Sequence, residues 1–146
     1  MTNLAKLLMV GACAIGLATA GAPTAARAET VALKADLSAA AQVPPVNSPG
    51  TGTFAGSLDT TTRVLTYTIT YSGLTGPATA AHLHGPAAAG ANAGVAVPIA
   101  APLASPIKGQ ATLTPAQEKD LLSGLYYANI HTAANKGGEI RGQVGK

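Results

Sequence analysis

Cysteine is almost missing from this chain. The single one, Cys13, lies in an N-terminal apolar run, so beyond that run no disulfide and no thiolate is available for stability, nucleophilic attack or soft-metal binding. Tryptophan is absent, and the only aromatic side chains are Phe54, Tyr67, Tyr71, Tyr126 and Tyr127. With so few rings to stack on bases and no cluster of basic residues, no nucleic-acid partner is expected. Charged residues make up 10% of the chain and hydrophobic ones 47%, a balance that favours a packed core over a disordered polyelectrolyte. Reactive side chains are scarce as well. No serine sits in a nucleophile elbow, no cysteine can pair with a histidine, and there is neither a phosphate loop nor a dinucleotide fingerprint. The few carboxylates show no acid–base pairing.

What is present begins with a leader. Lys6 supplies a short positive region, Leu7 to Ala22 is a run of apolar and small residues, and Ala26-Arg27-Ala28 fits a small-residue cleavage site. Residues 1–28 therefore read as a signal peptide, with cleavage expected after Ala28. The run is too short and too poor in large side chains for a membrane span, so none is expected in the mature chain. Lipid attachment at Cys13 is the competing reading, at the cost of a very short apolar region. The leader is bacterial in style and points to a periplasmic or secreted protein. It carries Lys6 and Arg27, so Glu29–Lys146 retains seven basic side chains against six acidic ones. That length suits one domain with a single core.

Periodicity places the elements. Val31, Leu33, Ala35 and Leu37 alternate with Ala32, Lys34 and Asp36, as in a half-buried strand. Residues 42–52 hold three prolines and two glycines and read as a loop. Thr53–Leu58 and Arg63–Tyr71 form an expected hairpin, with Leu65, Tyr67, Ile69 and Tyr71 on one face and threonines on the other. Further strands are expected over Thr79–His84, Val95–Ile99, Lys108–Leu113, Leu125–Thr132 and Glu139–Val144, with Pro98 marking a sheet edge. Thr114-Pro115-Ala116-Gln117 is a capping box opening the one credible helix, and Gly124 ends it after Leu122. The fold class that follows is all-β: a Greek-key β-sandwich or barrel of seven or eight short strands with one short helix.

All three histidines fall in two strand-like segments. His82 and His84 are two apart, so on a strand both imidazoles share one face, roughly 7 Å apart along the backbone. If the strand holding His131 is a neighbour, three imidazoles converge, a known ligand set for zinc or copper. Asn129 or Glu139 can then orient a ligand from behind. The alternative is a surface pair, or a set of hydrogen-bonded fasteners holding the loop after His84. Glu139 and Arg141 are also two apart. They can form a salt bridge on a solvated face, or Arg141 can tie the last strand to the Pro44-Pro45 loop or to a partner.

Four stretches, in this order, carry a family resemblance: Ala41-Gln42-Val43-Pro44-Pro45-Val46, Ala80-Ala81-His82-Leu83-His84-Gly85-Pro86, the run from Leu122 to Thr132, and Gly138-Glu139-Ile140-Arg141-Gly142-Gln143. Together they resemble the chordin-type (CHRD) domain of extracellular animal chordin and of many small secreted bacterial proteins, which places a CHRD domain over residues 29–146. Gln42 stands where the family usually has Glu. The resemblance implies a secreted β-domain with the histidines at signature positions, and it implies no reaction. The growth-factor antagonism of chordin needs a partner that bacteria lack. A weaker similarity runs to the Cu/Zn superoxide dismutases, in which a Gly-Leu-Thr turn leads into a His-x-His strand much as Gly73-Leu74-Thr75 leads into His82-Leu83-His84. That family's disulfide cysteines and full histidine set are missing here, so the similarity implies sandwich topology and mononuclear copper only.

Three readings remain. The first is a non-enzymatic secreted or periplasmic binding domain that holds one copper or zinc ion through His82, His84 and His131, with its protein or matrix partner unidentified. The second is a copper metalloenzyme acting on an oxygen species. The third is a structural envelope or matrix module without metal.

Overall fold

Strand β1 (Thr30–Ser38) follows the alternation in its sequence, burying Leu33, Ala35 and Leu37 and exposing the residues between them. It pairs residue for residue with β2 (Thr51–Asp59), and β2 pairs likewise with β3 (Val64–Ser72). The turn between β2 and β3 is held by Asp59, whose Oδ1 accepts from the backbone N–H groups of Thr61 and Thr62. The chain then crosses to β4 (Ala78–His84) and β5 (Val95–Pro98) before returning to β6 (Ile107–Thr112), which pairs with β3. Helix α1 (Pro115–Leu122) leads back to β7 (Tyr127–Thr132) beside β4, and β8 (Ile140–Gln143) closes against β7. The structure, a computed structural model, describes residues 29–146; the expected signal peptide lies outside the described residues.

All eight strands are antiparallel neighbours in one sheet of order β5-β4-β7-β8-β1-β2-β3-β6. The sheet curls into a nearly closed barrel. One core cluster accordingly joins Leu33, Phe54, Leu65 and Ile69 from one half to Leu83, Ala128, Ile130 and Ile140 from the other. The seam between the halves is thin: β1 meets β8 at Ser38 and Arg141, with one further bridge between Lys34 and Gly145. Edge strand β5 is partly covered by the helix, because Gln117 Nε2 donates to the Ala96 carbonyl.

The expected all-β class, the hairpin and the capped helix are all present. Thr114 Oγ1 accepts from Gln117 N while Gln117 Oε1 accepts from Thr114 N, the reciprocal bonds of a capping box. Gly124 takes a left-handed φ of 72° just past the helix. Boundaries differ where a cap competes with a strand. Leu125, expected at the start of β7, donates its N–H to Asp120 of the helix instead, so pairing begins at Tyr127. Among the described residues no helix is long and apolar enough to cross a membrane.

Candidate metal centre

The period of two sorts β4, β7 and β8 into two faces. Ala81, Leu83, Ala128, Ile130 and Ile140 enter the core. The alternate positions His82, His84, Tyr127, Asn129, His131 and Arg141 therefore share the outer face. The register sets His84 opposite Tyr127 and His82 opposite Asn129, which places His131 diagonal to His82. On an ordinary sheet this face would be wet. Here it is covered by the β1–β2, β4–β5 and β7–β8 connections, so His84 and His131 are only 9% and 8% exposed and Arg141 only 2%.

Three imidazoles converge under these loops. One ring nitrogen from each of His82, His84 and His131 lies within 4.8 Å of the others, and His82 Nδ1 is 3.1 Å from His131 Nε2. Ligands about 2 Å from a tetrahedral ion sit roughly 3.4 Å apart, so the widest spacing would close by at most about 1.4 Å on loading. The rings pack edge to face, His82 standing 5.3 Å from His84 at 88° and 5.0 Å from His131 at 68°.

Backbone carbonyls determine which nitrogens are free. His131 Nδ1 lies 2.9 Å from the Lys136 carbonyl and His84 Nδ1 lies 3.0 Å from that of Ala93. A carbonyl can only accept, so each Nδ1 carries the proton and each Nε2 keeps its lone pair. The Nε2 of His84 is buried with no hydrogen-bond partner. A histidine that gives its N–H to a carbonyl and aims the other nitrogen into a shared space has the arrangement of a metal ligand. With His131 Nε2 as acceptor, the proton between the two rings sits on His82 Nδ1, where an ion can replace it. Burial lowers the pKa of His82, and positive charge on His131 or His84 would lower it further. Burial likewise outweighs the Ala93 hydrogen bond and lowers that of His84. Both rings are thus biased towards the neutral form that binds metal.

The other candidate residues serve this face differently. Asn129 hydrogen-bonds to none of the histidines. Its Oδ1 accepts from Gln42 Nε2 at 2.7 Å and its Nδ2 donates to the Gly137 carbonyl, so it fastens the turn that presents Lys136 to His131. Gly138 closes that turn at φ 121°, and a Cβ there would collide with Asn129 Oδ1. Glu139 is fully buried and accepts from Ser48, Thr75, Thr132 and Asn135. Burial pushes its pKa up, but the hydrogen bonds from Ser48, Thr132 and Thr75 prevail and hold it at about 2. Neither the solvated face nor a Glu139–Arg141 bridge is found. Arg141 instead donates to Asn92 Oδ1 and the Ala91 carbonyl, tying β8 to the β4–β5 loop rather than to Pro44-Pro45.

Sequence reasoning passed over Tyr127. Its ring stacks on His84 at 4.9 Å and 3°, and its hydroxyl accepts from Ala93 N, the residue whose carbonyl holds His84. The signal was available, since Tyr127, Asn129 and His131 are spaced two apart and must share a face. The carbonyls of Ala93 and Lys136 had no signal, because any residue supplies one.

Comparison with curated proteins and with solved structures gave no match. The family model for the CHRD domain matches residues 33–144, from the first buried leucine of β1 to the residue after β8. That span includes most of β1, all of the other seven strands, the three histidines and every loop that covers them, and the chain belongs to the CHRD domain family.

Proposed function

We propose that this CHRD domain is a secreted or periplasmic binding module that holds one copper or zinc ion through His82, His84 and His131. The observation that carries this reading is the buried, unpartnered Nε2 of His84, on a ring that converges with two other imidazoles whose protons are accounted for. An unsatisfied buried polar atom costs on the order of 1–3 kcal/mol, and a bound cation removes that cost. Among divalent ions, imidazole favours copper, then zinc.

Titration calorimetry of the purified protein with copper and with zinc, beside the His131→Ala variant, tests the reading. One equivalent should bind to the wild type and affinity should fall by well over tenfold in the variant, with far less change in folding stability. Binding should weaken as pH falls below about 6.5, where protons compete for the ligand nitrogens; the depressed pKa values of His82 and His84 should carry binding further into the acid range than free imidazole would. Equally weak binding by both proteins would make the histidines loop fasteners. Export is part of the same proposal. The mass of the exported protein should correspond to a chain starting at Glu29, and a lipid-bearing N-terminus at Cys13 would overturn that.

A further inference from the structure

We propose that Arg141, acting through Tyr127, makes the three-histidine site selective for monovalent over divalent copper. The inference rests on the metal reading above and adds the charge of the ion.

The guanidinium carbon of Arg141 stands 3.4 Å from the centre of the Tyr127 ring, and that ring lies 4.9 Å from His84 and parallel to it within 3°. Strand β7 runs between β4 and β8, so the tyrosine is sandwiched with the cation on one face and the candidate ligand on the other. Arg141 cannot turn away to solvate itself. It is 2% exposed, with Nη1 held by Asn92 Oδ1 at 2.9 Å and Nη2 by the Ala91 carbonyl at 2.6 Å. Both partners are neutral, and no carboxylate forms an ion pair with it. Glu139 hydrogen-bonds to none of the three histidines, and neutral donors occupy both of its oxygens.

The ligand set adds no negative charge either. Three neutral imidazoles leave a bound ion with its full charge, and only the Tyr127 ring separates the guanidinium from His84, at 3.4 Å on one side and 4.9 Å on the other. At an effective dielectric near 20, each additional unit of ionic charge is disfavoured by a factor on the order of tenfold. A cupric or zinc ion bears that penalty once more than a cuprous ion does. Arg141 is therefore a positioning and charge-setting residue: it stacks the ring that orients His84, and it tilts the site towards the lower oxidation state.

The test compares wild type with Arg141→Met, which removes the charge, and Arg141→Lys, which keeps it. Affinity for cuprous ion is measured anaerobically against a colorimetric cuprous chelator, and affinities for cupric and zinc ions against competing chelators. The wild type should hold cuprous ion more tightly than cupric or zinc ion. Arg141→Met should lower the cuprous-to-cupric affinity ratio about tenfold, equivalent to a fall of about 59 mV in the one-electron potential, and Arg141→Lys should keep most of it. An unchanged ratio in Arg141→Met, with metal still bound, overturns this inference and leaves the metal site standing. A wild type that prefers cupric ion overturns it without needing any variant to fold. No metal uptake above that of His131→Ala overturns both.

Discussion

Strands β3 and β7 are both written in a period of two, yet one shows it in its burial and the other does not. Along β3, Leu65, Tyr67 and Ile69 are buried while Thr66 and Thr70 are exposed, and the threonines pair across to β2, as Thr53 and Thr70 do at 2.7 Å. Along β7 all six residues are buried. The difference is not in the strands. Three connections fold over the outer face of β4, β7 and β8, whereas the outer face of β2 and β3 stays open to water. A face that would have been a solvated ladder becomes a second interior. It is a polar one, in which each buried group must find a partner. The lesson is that alternation tells which residues share a face, and the loops decide whether that face is surface or site.

The largest test of this contrast is Glu139→Ala. It strips one carboxylate from donors on three separate connections and leaves them unsatisfied, so it should cost about 3–5 kcal/mol in chemical denaturation. The wild type should show the same dependence in acid. Because the folded pKa of about 2 lies below the ordinary 4.5, the ionised form contributes stability that is complete above pH 4.5. It is lost as pH falls from there towards 2. The full shift corresponds to about 3 kcal/mol, and a stability flat across that window would show that the carboxylate is not held as described.

A smaller and sharper comparison sets one outward residue from each half against the other. Asn129→Ala removes the bonds to Gln42 and Gly137 and should cost about 1–3 kcal/mol, while Thr66→Ala, equally outward on β3, should stay within about 0.5 kcal/mol. Equal costs in thermal or denaturant unfolding would mean that the covered face is no second interior.

Much of this was legible beforehand. The alternation of Leu33, Ala35 and Leu37, the hairpin about Asp59, the capping box at Thr114 and the edge position of Pro98 all rest on local rules, and each holds in the fold. The shared face of His82 and His84 also follows from spacing alone. The Glu139–Arg141 pair was misread for an equally physical reason. Two residues apart, they look like one solvated pair, but beside its near neighbours Thr132 and Asn135, Glu139 is held by Ser48, 91 residues away, and Arg141 by Asn92, 49 residues away, and no local pattern records such distances.

The sequence by itself determined the strands, the helix with its caps, and which histidines face the same way, because these depend on backbone periodicity and on contacts within a few residues. Only the tertiary structure decided that β4 and β7 are neighbours, that His131 therefore meets His82, and that Ala93 and Lys136 supply the carbonyls setting the tautomers. It also decided that Arg141 is an interior cation rather than a surface one. Strand order and loop cover arise from burying one shared core among segments far apart in the chain. Backbone carbonyls carry no residue identity, so the groups that complete the site cannot be read from letters at any spacing.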